Sequence, residues 1–129
     1  NDKVINYGEN ILVLANTFDS KAQNYYSEED YLNAIENWKE AIKIIPDDDS
    51  YYLNIAQSYL QLKEMESALD YLKKIDELGL REKNGKYEFL MGLYHLYFKN
   101  GFKACNFFKE SQNFNYEDAK KALIKLGCN

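Results

Sequence analysis

Proline, histidine and cysteine are scarce in this chain: its 129 residues include one Pro, one His and two Cys. A single proline beside 46% hydrophobic residues argues against a disordered chain and fits one helical globular domain with a continuous core. One histidine and two cysteines are too few to assemble a metal site. The lone His95 reads as a core or seam residue rather than a general base. There is no glycine-rich phosphate loop and no Gly-x-Ser-x-Gly elbow. We therefore expect no catalytic residue, no metal ligand, no cofactor and no enzyme. Positive charge is also in deficit, 16 Lys and Arg against 21 Asp and Glu, and no basic stripe offsets the net −5. That balance argues against nucleic acid and anionic membrane surfaces as partners. The apolar run from Ile11 to Leu14 is too short for direct membrane insertion.

What the chain does have is a repeat. Small residues at Ala22, Ala56 and Gly92 are each followed twelve positions later by an alanine, at Ala34, Ala68 and Ala104. The intervals are 56−22 = 34 and 92−56 = 36, which predicts three copies of a helical hairpin, each too small to bury its apolar face alone. Apolar residues fall at helical spacing around these anchors: Tyr52, Ile55, Ala56 and Tyr59 on a first helix, Ala68, Leu72 and Ile75 on a second. Twelve tyrosines and seven phenylalanines mostly occupy such positions and read as core and seam. Between copies, Asp47, Asp48 and Asp49 fit a helix cap better than a calcium loop, whose alternating oxygens, glycine and closing glutamate are missing. Residues Gly79 to Lys86 hold the two extra residues in a longer turn.

At the end of the chain, Ala119, Ala122, Leu123 and Leu126 make one face of a helix over Glu117 to Leu126, with charge on the other face. This is the form of a cap that closes a repeat array. At the other end, Ile11 to Leu14 extends the first helix backwards, and residues 1 to 8 are expected to be a loose lead-in or the remnant of an earlier element. Asn1 stands where a methionine would begin a chain, from which we expect that a targeting segment or another leading piece has been removed. Cys105 and Cys128 lie 23 positions apart and come roughly opposite each other if the chain folds back about Asn113 to Tyr116. A disulfide would lock the cap; two reduced thiols in a cytoplasmic protein are the alternative.

These residues resemble the tetratricopeptide repeat (TPR) family. With Ala15 as position one, the first copy supplies Phe18, Ala22, Tyr25, Ala34, Trp38, Ala41 and Pro46, and departs at Lys21, where the family has leucine. The second copy has Leu80 in place of the proline, and the third carries Glu88, His95 and Ser111 at three usual core positions. The resemblance implies an all-α, right-handed α-solenoid in a single domain over residues 1–129. Its repeats would span about 15–48, 49–82 and 85–116, with the capping helix at about 117–126.

By the same resemblance the groove is lined by Asn16, Asp19 and Gln23 from the first copy and Leu53, Asn54 and Gln57 from the second. The third contributes Lys86, Phe89, Leu90, Leu93 and Tyr97. It implies a non-enzymatic scaffold whose partner is a protein or peptide segment. A structural or self-associating subunit of a bacterial envelope assembly is the alternative. One TPR mode holds a chaperone's C-terminal carboxylate with lysine and asparagine side chains. Asn54 and Lys86 match it, whereas Asp19, Gln23 and Leu90 do not, and Asp19 would repel the carboxylate. The segment Lys103 to Lys109 and the final Cys128 also look like the ends of small exported TPR proteins of Gram-negative bacteria, which implies a disulfide between Cys105 and Cys128. A periplasmic or exported location follows, with a lipid-anchored precursor as one route and the cytoplasm as the alternative.

Overall fold

The computed structural model describes residues 2–81 and 83–129, and among these there is no strand. Seven helices follow in order: α1 (Asp2–Ser27), α2 (Tyr31–Ile44), α3 (Asp49–Gln61), α4 (Met65–Glu77), α5 (Lys86–Tyr97), α6 (Gly101–Asn113) and α7 (Glu117–Leu126). They form three hairpins, α1/α2, α3/α4 and α5/α6, with α7 packed on α6. The element order, helical hairpins followed by an end helix and no strand among the described residues, is the expected one. One expectation is corrected: α1 already begins at Asp2, so residues 2 to 8 are helical rather than a loose lead-in.

The turns repeat as regularly as the alanines. Glu29, Lys63 and Lys99, at intervals of 63−29 = 34 and 99−63 = 36, all adopt positive φ of 61 to 63°. Each sits just past the first helix of its hairpin, where a left-handed residue lets the amides after it return to the last helical turn. The bonds recur too: Asp30 N–H donates to Tyr25 O at 2.8 Å, Glu64 to Tyr59 at 2.9 Å and Asn100 to His95 at 3.0 Å. Asp30 and Asn100 then cap the second helices, accepting from Asn33 N at 3.3 Å and Lys103 N at 3.2 Å. In the acidic junction, Asp48 accepts from Ser50 N at 3.0 Å and caps α3. At the longer turn, Gly79 and Gly85 take φ of +67° and +89°, and a Cβ on Gly85 would lie 2.7 Å from that of Tyr116.

The anchors of the repeat are where the helices cross. Ala22, Ala34, Ala56, Ala68 and Ala104 are fully buried, and Gly92 lies against the ring of Phe108. One core cluster is built around Trp38 and Ile55 and another around Leu72 and Leu90; Ile42, Tyr59 and Tyr71 pack against both, so the interior is continuous from repeat to repeat. Two polar residues of the third repeat, Glu88 and Ser111, are buried, with Glu88 Oε2 left without a hydrogen-bond partner. Ser111 Oγ donates to Gly85 O at 2.6 Å, and Arg81 donates to Glu88 Oε1 at 3.0 Å. Arg81 also lies 4.1 Å over the Tyr87 ring and 3.6 Å from Asp76, whose other oxygen accepts from Tyr87 OH at 2.9 Å. His95 instead lies part-exposed, stacked on Phe107 at 5.3 Å.

The end helix covers the array through Ala119, which is fully buried, and Tyr116, stacked on Phe89 at 5.1 Å. Its expected apolar face is only partly covered, since Leu126 is 39% exposed. Cys105 on α6 faces Cys128 beyond α7 with Cα atoms 5.7 Å apart and sulfurs at bonding distance. That separation lies within the range disulfides span, about 4.4–6.8 Å.

Candidate functional site

The first helices of the three hairpins are laid side by side, and bonds between their side chains mark the surface they share. Gln61 of α3 donates to Tyr26 OH of α1 at 3.5 Å, and Lys86 Nζ of α5 donates to Asn54 Oδ1 of α3 at 2.7 Å. Partners 35 and 32 residues apart are thus neighbours. Between α3 and α5 this surface deepens into a cavity of about 300 Å³. Gln57, Leu60 and Gln61 form one wall, and Leu93, Leu96 and Tyr97 the other. Lys63 and Met65, from the turn and the start of α4, close one side.

Of the residues expected to line the groove, Gln57, Leu93 and Tyr97 meet at this cavity, and Asn54 and Lys86, outside its lining, meet in a bond of their own. Asp19 and Gln23 stay on α1, where Asp19 Oδ1 accepts from Trp38 Nε1 at 2.7 Å and from Gln23 Nε2 at 3.5 Å. Asn16 borders a separate shallow depression formed by α1 alone, beside Thr17 and Ser20. Two expected contact residues are corrected. Leu53 and Leu90 are 3% and 0% exposed and belong to the core, in one cluster with Tyr52, Ala56 and Tyr87. Phe89 is turned toward the end helix, between Tyr116 and Phe108 at 5.1 and 5.5 Å, and serves packing there.

Burial lowers the pKa of Lys86, while the field of Asp49 acts in the opposite sense. Burial raises the Tyr26 hydroxyl, with the Gln61 bond opposing it. Lys63 and Met65 were missed by the sequence reading because they lie outside the first helices. The Trp38 bond to Asp19 had a readable signal, since a buried indole N–H needs an acceptor and tertiary contact alone decides which. Among the described residues no group of three or more His, Cys, Asp or Glu could hold a metal, and no helix is long and apolar enough to cross a membrane.

Residues 22–63 match the family model described as TPR repeat, and residues 49–78 match a second, Tetratricopeptide repeat. Residues 22–78 are thus similar to tetratricopeptide repeats. Among solved structures, the TPR domain of Arabidopsis OM64 superimposes with a TM-score of 0.78 at 21% identity, covering 90% of this chain and 96% of that one. The first TPR of Spaghetti (RPAP3), bound to an HSP90 peptide, gives 0.74 at 18% identity over 88% and 90%. The second TPR domain of human RPAP3, in complex with an HSP70 peptide, gives 0.74 at 17% identity over 92% and 99%. At these identities the likeness is one of fold, an all-helical TPR array. No curated protein matches by sequence.

Proposed function

We propose that this TPR array is a non-enzymatic interaction scaffold that holds a peptide or protein segment against its first helices. The observation that carries this reading is the cavity between α3 and α5, open beside amide side chains of Gln57 and Gln61 and rimmed by Tyr97, which is 48% exposed. Its fold neighbours Spaghetti and human RPAP3, solved with bound peptides, support the same use of the fold. Docking of an acidic chaperone tail is not part of the proposal. Asp19 stands where a cation would be needed, and Leu90 is buried. The test is a peptide ending in Glu-Glu-Val-Asp, for which we expect no micromolar binding; binding lost on amidation of its terminus would overturn this part. For the groove itself, Tyr97→Ser is expected to abolish binding of any peptide selected on the wild-type protein while leaving its melting unchanged. Undiminished binding by that variant would contradict the assignment.

A second reading, a self-associating or structural envelope subunit, is favoured by exposed aromatic side chains at the α5–α6 turn, Phe98 at 56% and Phe102 at 79%. Light scattering over a range of concentrations separates the two: a monomer is expected of the scaffold, a dimer or larger of the subunit. We also propose a Cys105–Cys128 disulfide and with it an exported, periplasmic location, supported by the 5.7 Å approach of the two Cα atoms.

A further inference from the structure

The same local sequence, Lys-Asn-Gly, occurs at Lys83–Gly85 and again at Lys99–Gly101. An asparagine before glycine carries a latent reaction, because the next amide nitrogen reaches the side-chain carbonyl and glycine has no side chain to shield it. The fold treats the two differently.

Asn100 is held by backbone and side chain together. Its N–H donates to His95 O at 3.0 Å, its C=O accepts from Ala104 N at 3.0 Å, and its Oδ1 reaches ahead to Lys103 N at 3.2 Å. Gly101 is already the first residue of α6, so turning its nitrogen onto the Asn100 side chain breaks the start of that helix.

Asn84 is exposed in the turn before α5, and among the described residues neither its own N–H and C=O nor the Gly85 N–H makes a hydrogen bond. Its side chain does: Oδ1 accepts from Lys86 N at 3.0 Å, which folds the carboxamide back over the intervening Gly85 amide. That bond also favours reaction. Lys86 opens α5, where the helix dipole welcomes negative charge, so its N–H stabilises the oxygen as Cγ becomes tetrahedral. Gly85 is itself anchored, its C=O accepting from Ser111 Oγ at 2.6 Å and from Phe89 N at 3.0 Å.

We infer that Asn84 is a site of spontaneous deamidation and that Asn100 is protected from it. The Gly85 nitrogen attacks Asn84 Cγ; the new C–N bond replaces Cγ–Nδ2, and Nδ2 leaves as ammonia with the proton that Gly85 gives up. Water then opens the cyclic imide. Opening at Cγ leaves aspartate in an intact backbone, whereas opening at the main-chain carbonyl leaves isoaspartate, whose chain runs through the side chain and is longer by a methylene. Aspartate keeps the capping oxygen and adds a charge that the start of α5 favours. Isoaspartate lengthens a connection that ends at Gly85, where a Cβ would already lie 2.7 Å from that of Tyr116, and so loosens the turn that brings Arg81 to Glu88.

The test holds the folded chain in mildly alkaline buffer and follows both sites by peptide mapping with mass spectrometry, counting isoaspartate with an isoaspartyl methyltransferase. Conversion at Asn84 should outpace that at Asn100 by about tenfold or more, the cost of the backbone bonds that Asn100 must break. In urea the two sites should convert alike. Asn84→Gln should stop the reaction at that position, Asn84→Asp should melt as the wild type does, and the isoaspartate fraction should melt lower than either. Equal rates in the folded chain, a faster Asn100, or a difference that persists in urea would overturn the inference. So would an Asn84 that survives in the folded chain while a free peptide of residues 80–88 converts in the same buffer.

Discussion

Replacing Gly92 by alanine probes the closest approach in the third repeat. A methyl group on Gly92 would lie 2.6 Å from Cδ1 and 2.9 Å from Cζ of Phe108. Carbon atoms in contact prefer roughly 3.5–4.0 Å, so the ring would have to retreat by roughly 1 Å. It has nowhere open to go: Phe108 is fully buried, with Phe89 5.5 Å away on one side. Overpacking of this kind costs about 1–3 kcal/mol. Alanine in a helix recovers about 1 kcal/mol relative to glycine. A clash this close belongs in the upper part of that range, about 2–3 kcal/mol, so the expected net loss is about 1–2 kcal/mol, a sizeable part of the roughly 5–15 kcal/mol that holds a domain together. Urea unfolding followed by circular dichroism measures it. Phe108→Leu in the same chain should couple favourably to Gly92→Ala, since the smaller side chain makes room for the methyl group. If Gly92→Ala matched or exceeded the wild type in stability, α5 and α6 would not cross where the repeat places them.

Other expectations concern single groups. The Tyr87 hydroxyl is pushed up to about 12 by burial and by its bond to Asp76. Because its unfolded pKa is near 10, this stabilisation is present in full below about pH 10 and disappears as pH rises through 12. The stability gap between wild type and Tyr87→Phe should narrow across that window; a gap independent of pH would refute the assignment. Lys99→Gly, which relieves a φ of 61°, should raise stability by about 0.5–1 kcal/mol, and thermal melting showing a loss would contradict the turn geometry. A disulfide between Cys105 and Cys128 should leave no alkylatable thiol before reduction. Reduction should then cost about 3 kcal/mol, whereas free thiols in unreduced protein would remove the argument for export.

The architecture was legible because it follows from local periodicity: small residues at helix crossings recur at intervals of 34 and 36 along the chain and need no knowledge of distant contacts. The acidic junction was legible for the same reason, since Asp48 caps the helix that begins next to it. The groove was less so. Position counting placed Leu53 and Leu90 on its surface, but how deeply a side chain sits depends on the tilt between neighbouring helices, which a sequence pattern does not encode. Met65 could not be found from first helices alone, and the partnership of Arg81 with Glu88 depends on the path of the longer turn. Ser111 and one oxygen of the Glu88 carboxylate are buried against local polar partners, whereas His95 is left part-exposed.

The most direct measurement is amide chemical-shift mapping by NMR as a peptide selected on the wild-type protein is titrated into the chain of residues 1–129. The account predicts that the largest shifts fall on Gln57, Gln61, Leu93, Leu96 and Tyr97, around the α3–α5 cavity. Shifts gathered instead on the second helices, or around His95 and Phe107, would contradict it.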